Sequence, residues 1–401
     1  MNKKIDMQKW TFPPWPHYEP DEIAAVSRVL SSGAVNYWTG EEGRRFEREF
    51  AAYHGARHGI AVANGSVALE LALHAMGIGD GDDVMVTPRT FVASASSIVL
   101  CGATPVFADV DRDSGNISPE GVEAVITPRT RAVVVVHLAG WPCDMDALMA
   151  VADAHGLFVI EDCAQAHGAS YKGRPVGGIG HAGAFSFCQD KIMSTGGEGG
   201  MVVTDDYDLW ARMWAYKDHG KSWDAVYNRD HSPGFRWLHE SVGTNWRMTE
   251  MQAAIGRVQL GKLPQWIDKR RQNAQVLIDR WAELPGLRVP VPERTIGHAY
   301  YKFYVYVEPE RLKEDWSRDR IVDAAADRGI PCMQGICPEV YLEKAFDTGH
   351  LRPAKRLAAA RELGETSLMF PIHPTLGKKE MEVMADVMAK IMKDAVVGEW
   401  A

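Results

Sequence analysis

Four short runs of this 401-residue chain are apolar without alternation: DVMVTP (83–88), TPVFADV (104–110), AVVVVHL (132–138) and LFVIED (157–162). Each ends in polar or turn residues, and helical stretches lie between them. A strand with one face in water alternates apolar and polar residues, whereas a strand apolar at every position has both faces covered. Continuous strands separated by helices predict an α/β fold on a mostly parallel sheet. In such sheets ligands bind beyond the carboxyl ends of the strands, so the residues after each run are the ones to examine for chemistry.

The segments around these runs are readable too. PDEIAAVSRVLSS has acidic residues at its start and helical spacing of Ile23, Val26 and Leu30. After Asn64-Gly65-Ser66, where a strand turns into a helix, VALELALHAMGI is apolar almost all round and reads as a buried helix. Residues 90–108 carry no charge and approach the length of a membrane span. Their serines, Gly102 and Pro105 favour a helix, a turn and a strand instead.

The first twenty residues, with Pro13, Pro14, Pro16 and Pro20 among Trp10, Phe12 and Trp15, read as an extended arm that packs on something, a partner subunit being one option. Residues 217–243 have no clear period and form a long loop; loops of that length are usually functional or mobile. TEMQAAIGRVQL is helical, and a long helix runs through 265–283. Beyond residue 285, HAYYKFYVYVE and TSLMFPIH read as strands and SRDRIVDAAADRGI as a helix. The last helix carries Met381, Met384, Met388 and Met392 at helical spacing, a core stripe. The organisation expected is an arm (1–20), a large domain (21–260) and a smaller α+β domain (261–401).

The 44 Lys and Arg against 53 Asp and Glu give a net charge of −9, the opposite of a dedicated nucleic-acid binder. Cysteines 101, 143, 163, 188, 332 and 337 form no CxxC pair and sit beside no His cluster at zinc spacing, so no metal site is expected and the thiols read as reduced. MNKKIDMQKW has no apolar stretch behind its lysines and is not a signal peptide; the expectation is a cytoplasmic protein without membrane contact.

Three features converge on one chemistry. Glu161-Asp162 ends a strand, Lys191 stands before the glycine cluster GGEGG (196–200), and Gly65-Ser66 opens a buried helix. Separately each has an ordinary explanation as a turn, a solvated loop residue or an N-cap. Together they suit pyridoxal phosphate (PLP), whose aldehyde needs a lysine, whose pyridine nitrogen needs a carboxylate, and whose phosphate needs N–H groups and hydroxyls. No Walker sequence competes, and the glycine-rich GRPVGGIGHAG follows no clean strand and opens no clear helix.

The motifs NGSVALELAL (64–73), TPRTFVAS (87–94), EDCAQAHGASYKG (161–173), FSFCQDK (185–191) with GGEGG, and GTNWRMTEMQAAIG (243–256) occur in an order and spacing that resemble the DegT/StrS family of sugar aminotransferases. The resemblance covers nearly the whole chain and implies a fold type I PLP-transferase. It implies that Lys191 holds the cofactor as a Schiff base and then moves the proton between Cα and the cofactor's C4′. It further implies that Asp162 pairs with the pyridinium nitrogen, Gln165 bonds the phenolic oxygen and Phe91 stacks on the ring. Gly65, Ser66 and Ser186 would hold the phosphate, with Asn245 reaching it from the neighbouring subunit of a homodimer. Ser66 stands where Thr is more usual and keeps the hydroxyl.

His219, Lys221 and Arg247 are candidates for substrate contact; Arg247 alternatively orients the Asn245 loop through a salt bridge. Lys217, Lys221, Arg229 and Arg236 make the 217–239 segment a candidate for facing a diphosphate. His167 reads equally as a packing residue, and Cys163 and Cys188 as small core fillers. The activity implied is ping-pong transfer of an amino group from L-glutamate to a nucleotide-linked 4-keto-6-deoxy sugar. A cyclitol ketone is the alternative acceptor. A sugar dehydrase is disfavoured because Lys191 is intact where those relatives carry His, and a PLP-binding regulator finds no DNA-binding segment to support it.

Overall fold

The computed structural model describes residues 11–234, 236–348 and 351–397; Trp10 of the arm lies outside them. Its centre is a seven-stranded sheet in the order His58–Val62, Gly200–Thr204, Ala182–Ser186, Phe158–Asp162, Thr130–Val136, Asp83–Val86, Thr104–Phe107. Six strands run one way; Gly200–Thr204 is reversed and pairs antiparallel with both neighbours. All four expected strands are present. Val133 and Val135 enter one core while Val134 and Val136 enter the other. That split is the physical content of an unbroken apolar run: each face of the pleat meets its own layer of helices. The helix Gly65–Ala75 packs on one face, and Glu42–Tyr53 brings Phe46 and Phe50 to the other. The uncharged stretch resolves into the helix Ala93–Leu100 and the strand Thr104–Phe107. No described helix is long and apolar enough to cross a membrane.

A third core lies under a three-stranded antiparallel sheet, Leu287–Arg288, Phe303–Val307 and Ser367–Phe370. The final helix, Lys378–Ala395, buries all four methionines of its stripe there, each contributing roughly 1.5–3 kcal/mol of hydrophobic burial. One helix, Glu250–Trp281, serves both units. Up to Ile267 it supplies Leu260, Leu263 and Ile267 to the large core, and from Ala274 onward it supplies Ala274, Leu277 and Trp281 to the small one. It is continuous through Pro264, so residue 260 falls inside a helix, not between two.

One expectation is corrected. The first helix, Pro20–Ser32, exposes Ile23 and Leu30 and buries Glu22, Ala25 and Val29 instead. Ala25 and Val29 pack on Ala254, and Lys262 donates to the Glu22 carboxylate at 2.8 Å, a tertiary pairing that apolar spacing cannot register. The arm, expected to pack on something with a partner subunit as one option, makes contacts with its own chain: Trp15 sits edge-on to Trp266 and Phe12 packs against the small core.

Candidate active site

The strands Phe158–Asp162 and Ala182–Ser186 are neighbours, with Asp162 opposite Ala184. Where they end, beside the start of the helix Gly65–Ala75, a cavity of about 550 Å³ opens. Gly65, Ser66, Phe91, Asp162, Gln165, Ser186 and Lys191, drawn from four separate motif segments, all line it.

The Glu161-Asp162 pair divides by the pleat of the strand. Glu161 is fully buried and accepts from the Gly177, Ile179 and Gly180 N–H groups at 2.6–2.8 Å and from His137 Nε2 at 3.0 Å. Burial works to raise its pKa, but those donors hold it below the ordinary carboxylate range. Asp162 faces the cavity, where its Oδ2 accepts from Ser94 Oγ at 2.7 Å and its Oδ1 from the Ala164 N–H at 3.1 Å. Burial pushes its carboxyl up, against the pull of those two hydrogen bonds and of Lys191. Among the described residues no cation forms an ion pair with it. His137, Glu161 and Cys163 cluster closely enough to suggest a metal. Both ring nitrogens of His137 are engaged, however, Nδ1 by the Cys143 N–H and Nε2 by Glu161, so no ligating lone pair is left.

Asn64 caps the helix by accepting the Val67 N–H at 3.0 Å. The preceding Gly65 and Ser66 amides, like all first-turn amides, have no intrahelical acceptor and are available to an anion. Gly65 is needed for closeness: a Cβ there would stand 2.5 Å from the Ser186 Cβ. Gln165 Oε1 accepts the Ala139 N–H at 2.8 Å, which leaves its amide –NH2 as the group it can offer the cavity. Phe91 is 61% exposed, an aromatic ring left open on the cavity wall. Lys191 Nζ lies 3.5 Å from Asp190 Oδ1 and 5.1 Å from the Tyr301 ring centre.

Asn245, His219, Lys221 and Arg247 do not line this cavity. Arg247 Nη1 and Lys221 Nζ both donate to Asp218 Oδ1, at 2.5 and 2.8 Å. Asn245 is exposed and pairs through its backbone with Asp218. His219 is exposed in the left-handed region, φ 59°. Lys217 leaves the basic set altogether, buried with Glu47 at 2.7 Å. His167 is enclosed by Phe50, Phe185 and Phe187, away from the cavity, and burial pushes its pKa well down. Cys163 is a buried filler, whereas Cys188, read as one, lines the cavity and is half-exposed. Sequence reasoning missed Ser94, Asp190 and Tyr301. Ser94 closes TPRTFVAS, and Asp190 directly precedes Lys191, so both carried a signal; Tyr301 sat in a segment read only as a strand.

The chain matches the model of the DegT/DnrJ/EryC1/StrS aminotransferase family over residues 16–390. The dTDP-3-amino-3,4,6-trideoxy-alpha-D-glucose transaminase of Streptomyces venezuelae is 37% identical over 378 residues, covering 94% of this chain and 91% of the relative. The L-glutamine:2-deoxy-scyllo-inosose aminotransferase of Streptomyces fradiae is 42% identical over 337 residues, covering 82% and 78%. The solved structure of an aminotransferase from Psychrobacter cryohalolentis superposes with a TM-score of 0.94 at 58% identity, over 96% of this chain and 99% of that one. With a mostly parallel α/β sheet of the fold type I kind and a family match over nearly its whole length, the chain belongs to the DegT/DnrJ/EryC1/StrS aminotransferase family.

Proposed function

We propose that this protein is a PLP-dependent aminotransferase that moves an amino group from L-glutamate to the keto group of a nucleotide-linked 4-keto-6-deoxy sugar, by a ping-pong mechanism. The observation that carries the reading is Asp162: a buried carboxylate, held by Ser94 and Ala164 and with no ion-paired cation among the described residues, in one cavity with Lys191. A desolvated carboxylate of that kind fits a protonated pyridine nitrogen.

The other residues fit the same group. The Gly65 and Ser66 amides with the Ser66 and Ser186 hydroxyls would take its phosphate without net charge, and Phe91 would cover a ring face. Gln165 would donate to its phenolic oxygen. When bound, the cofactor supplies an aldehyde that accepts the amine and a ring that withdraws electrons from Cα. Lys191 Nζ would anchor the aldehyde and, once released, carry the proton between substrate Cα and the cofactor's C4′. Asp162 would keep the ring nitrogen protonated throughout.

The shared site of a homodimer is part of the proposal. Asn245, His219, Lys221 and Arg247 stand outside their own chain's cavity, and we assign them to the cavity of a second copy. The sugar acceptor is supported by the nucleotide-sugar transaminase relative; the cyclitol relative keeps a cyclitol ketone as the second reading.

The test incubates the PLP-loaded protein with each donor, L-glutamate and L-glutamine, and with each acceptor, a dTDP- or UDP-linked 4-keto-6-deoxyhexose and an inosose. Amine transfer from glutamate to the nucleotide sugar, abolished in Lys191→Ala, is the expected result. Transfer only to the inosose moves the assignment to the cyclitol reading, and binding of PLP without transfer to either acceptor refutes both.

A further inference from the structure

Lys191 belongs to no helix or strand: it stands in the irregular stretch between the strands Ala182–Ser186 and Gly200–Thr204. A long, four-torsion side chain that must reach a fixed atom needs its backbone held by something else. Its own N–H is fixed locally, donating to the Cys188 carbonyl at 3.0 Å. Its carbonyl is fixed from 176 residues away, accepting from the indole Nε1 of Trp15 at 2.8 Å. Three residues on, Ser194 Oγ accepts from Tyr18 OH at 3.2 Å. The arm thus crosses the lysine's loop and touches it twice.

The indole is itself anchored on several sides. It lies edge-on to Trp266, with ring centres 5.1 Å apart and planes at 89°, and stacks with His373 at 6.1 Å. The Arg270 guanidinium sits 5.3 Å from its ring, and the Pro14 carbonyl accepts from Thr375 Oγ1 at 3.0 Å. Pro13, Pro14 and Pro16 restrict the arm's backbone, so less entropy is lost in presenting the ring. Arg270 also donates to the Tyr300 and Tyr301 carbonyls at 3.2 Å each, and the Tyr301 hydroxyl donates to Asp190, the residue before the lysine. A continuous set of contacts therefore runs from the arm, through the small unit, to both flanks of Lys191. A phenylalanine at position 15 would satisfy every ring contact; only the indole N–H reaches the lysine's carbonyl.

We infer that Trp15 is a positioning residue for Lys191, and that the proline-rich arm is a strap holding the lysine's backbone in register with the cavity. The inference rests on the reading of Lys191 as the cofactor-bearing lysine.

The test compares wild type, Trp15→Phe and Tyr18→Phe. In cofactor-free protein, hydrogen exchange of the peptide spanning residues 187–199 is expected to speed up about fivefold in Trp15→Phe, the Boltzmann factor of one ordinary hydrogen bond. In PLP-loaded protein, the pH midpoint of the cofactor's visible absorption is expected to shift. kcat should fall about tenfold with KM for both substrates unchanged, because a displaced lysine slows both half-reactions without touching substrate binding. Tyr18→Phe, which leaves the indole bond intact, should keep the wild-type midpoint.

A Trp15→Phe protein that loses only thermal stability, with exchange, midpoint and kcat as in wild type, overturns the inference. So does a midpoint shift of equal size in Tyr18→Phe, which would report arm docking alone. If Trp15→Phe does not fold, Thr375→Val, which releases the Pro14 carbonyl and keeps Trp15, must shift the midpoint in a smaller degree; no shift overturns the inference. Borohydride reduction and peptide mapping of the wild type separate the two readings. Label on another lysine ends the functional reading, whereas label on Lys191 with an unmoved Trp15→Phe ends only this one.

Discussion

Replacing Asp162 with Asn should make the cofactor-free protein more stable and the loaded enzyme almost inactive. The substitution is sterically quiet. Asn Oδ1 can accept the Ala164 N–H that Asp162 accepts now at 3.1 Å. Asn Nδ2 can donate to Ser94 Oγ, because that hydroxyl, 2.8 Å from Thr90 Oγ1, is free to turn its own proton onto Thr90. What changes is charge. Burial raises the Asp162 carboxyl above its ordinary value of 3.8. Between that value and the raised folded one, the folded state keeps a proton that the unfolded chain has released, so stability falls as pH rises through this window and stays lower above it. Asn does not titrate. The melting temperature of cofactor-free Asp162→Asn should therefore exceed that of wild type at pH 7, and the gap should close toward pH 3.

With cofactor the order reverses. Removing one charge of a buried ion pair costs about 3–5 kcal/mol, which at 1.36 kcal/mol per decade is a loss of roughly 10²–10⁴ in rate. Differential scanning of both forms at pH 3 and 7, with single-turnover rates for each half-reaction, checks the whole chain of reasoning. A cofactor-free variant less stable than wild type at pH 7 would falsify the desolvation argument, and a loaded variant retaining a tenth of the rate would remove Asp162 from the ring nitrogen.

Two further outcomes follow from the same geometry. Glu161→Gln replaces an acceptor of four donors with one that also presents an N–H2 group to them, so a loss of about 2–4 kcal/mol is expected in urea unfolding at pH 7. Since Glu161's folded pKa is lowered, its contribution is present above the unfolded pKa and lost as pH falls through the folded one; a wild-type-to-variant gap that widens in acid would contradict this. Mixing inactive Lys191→Ala with inactive Asn245→Ala under exchange should restore about 25% of wild-type activity, since half the dimers are hybrids with one intact site each. No recovery despite hybrid formation would place Asn245 in its own chain's site.

What was legible in the sequence follows from where the information sits. Strands sandwiched between two helical layers announce themselves, because every residue of a run such as Val133–Val136 must be apolar. The strand Ala182–Ser186 is equally buried yet reads AGAFS, since its neighbours approach too closely for large side chains: a Cβ at Gly183 would meet the Gly177 carbonyl oxygen at 2.3 Å. Close packing erased the hydrophobic signal. The long helix hid for the opposite reason, as Gly261 and Pro264 look like a break that tertiary contacts bridge. At the cavity, residues carried by local motifs were visible. What a distant contact adds was not: Ser94 lay inside a legible motif, but its bond to Asp162 across 68 residues did not show, nor did that of Trp15 to Lys191 across 176.

The charge balance adds a constraint that neither sequence nor fold makes plain alone. Among the described residues, the acidic and basic side chains lining the cavity are Asp162, Asp190, Glu198 and Lys191: three carboxylates against one cation. The ligands proposed for it, a phosphorylated cofactor, a dicarboxylic amino acid and a sugar diphosphate, are all anionic. Helix amides and hydroxyls can hold the cofactor phosphate at no cost in net charge, but they are spent on it. A diphosphate binding later would meet unscreened repulsion from the remaining carboxylates within a Debye length of about 8 Å. The positive charge it needs stands outside the lining, on Lys221 and Arg247 around Asp218 and on Arg236. In this reading a single chain builds a cofactor site and only half of an acceptor site. Pairing of two chains would then be a requirement of electrostatics before one of stability, and the acidic net charge of −9 would be compatible with anionic substrates if, as proposed, a second copy delivers the cations locally.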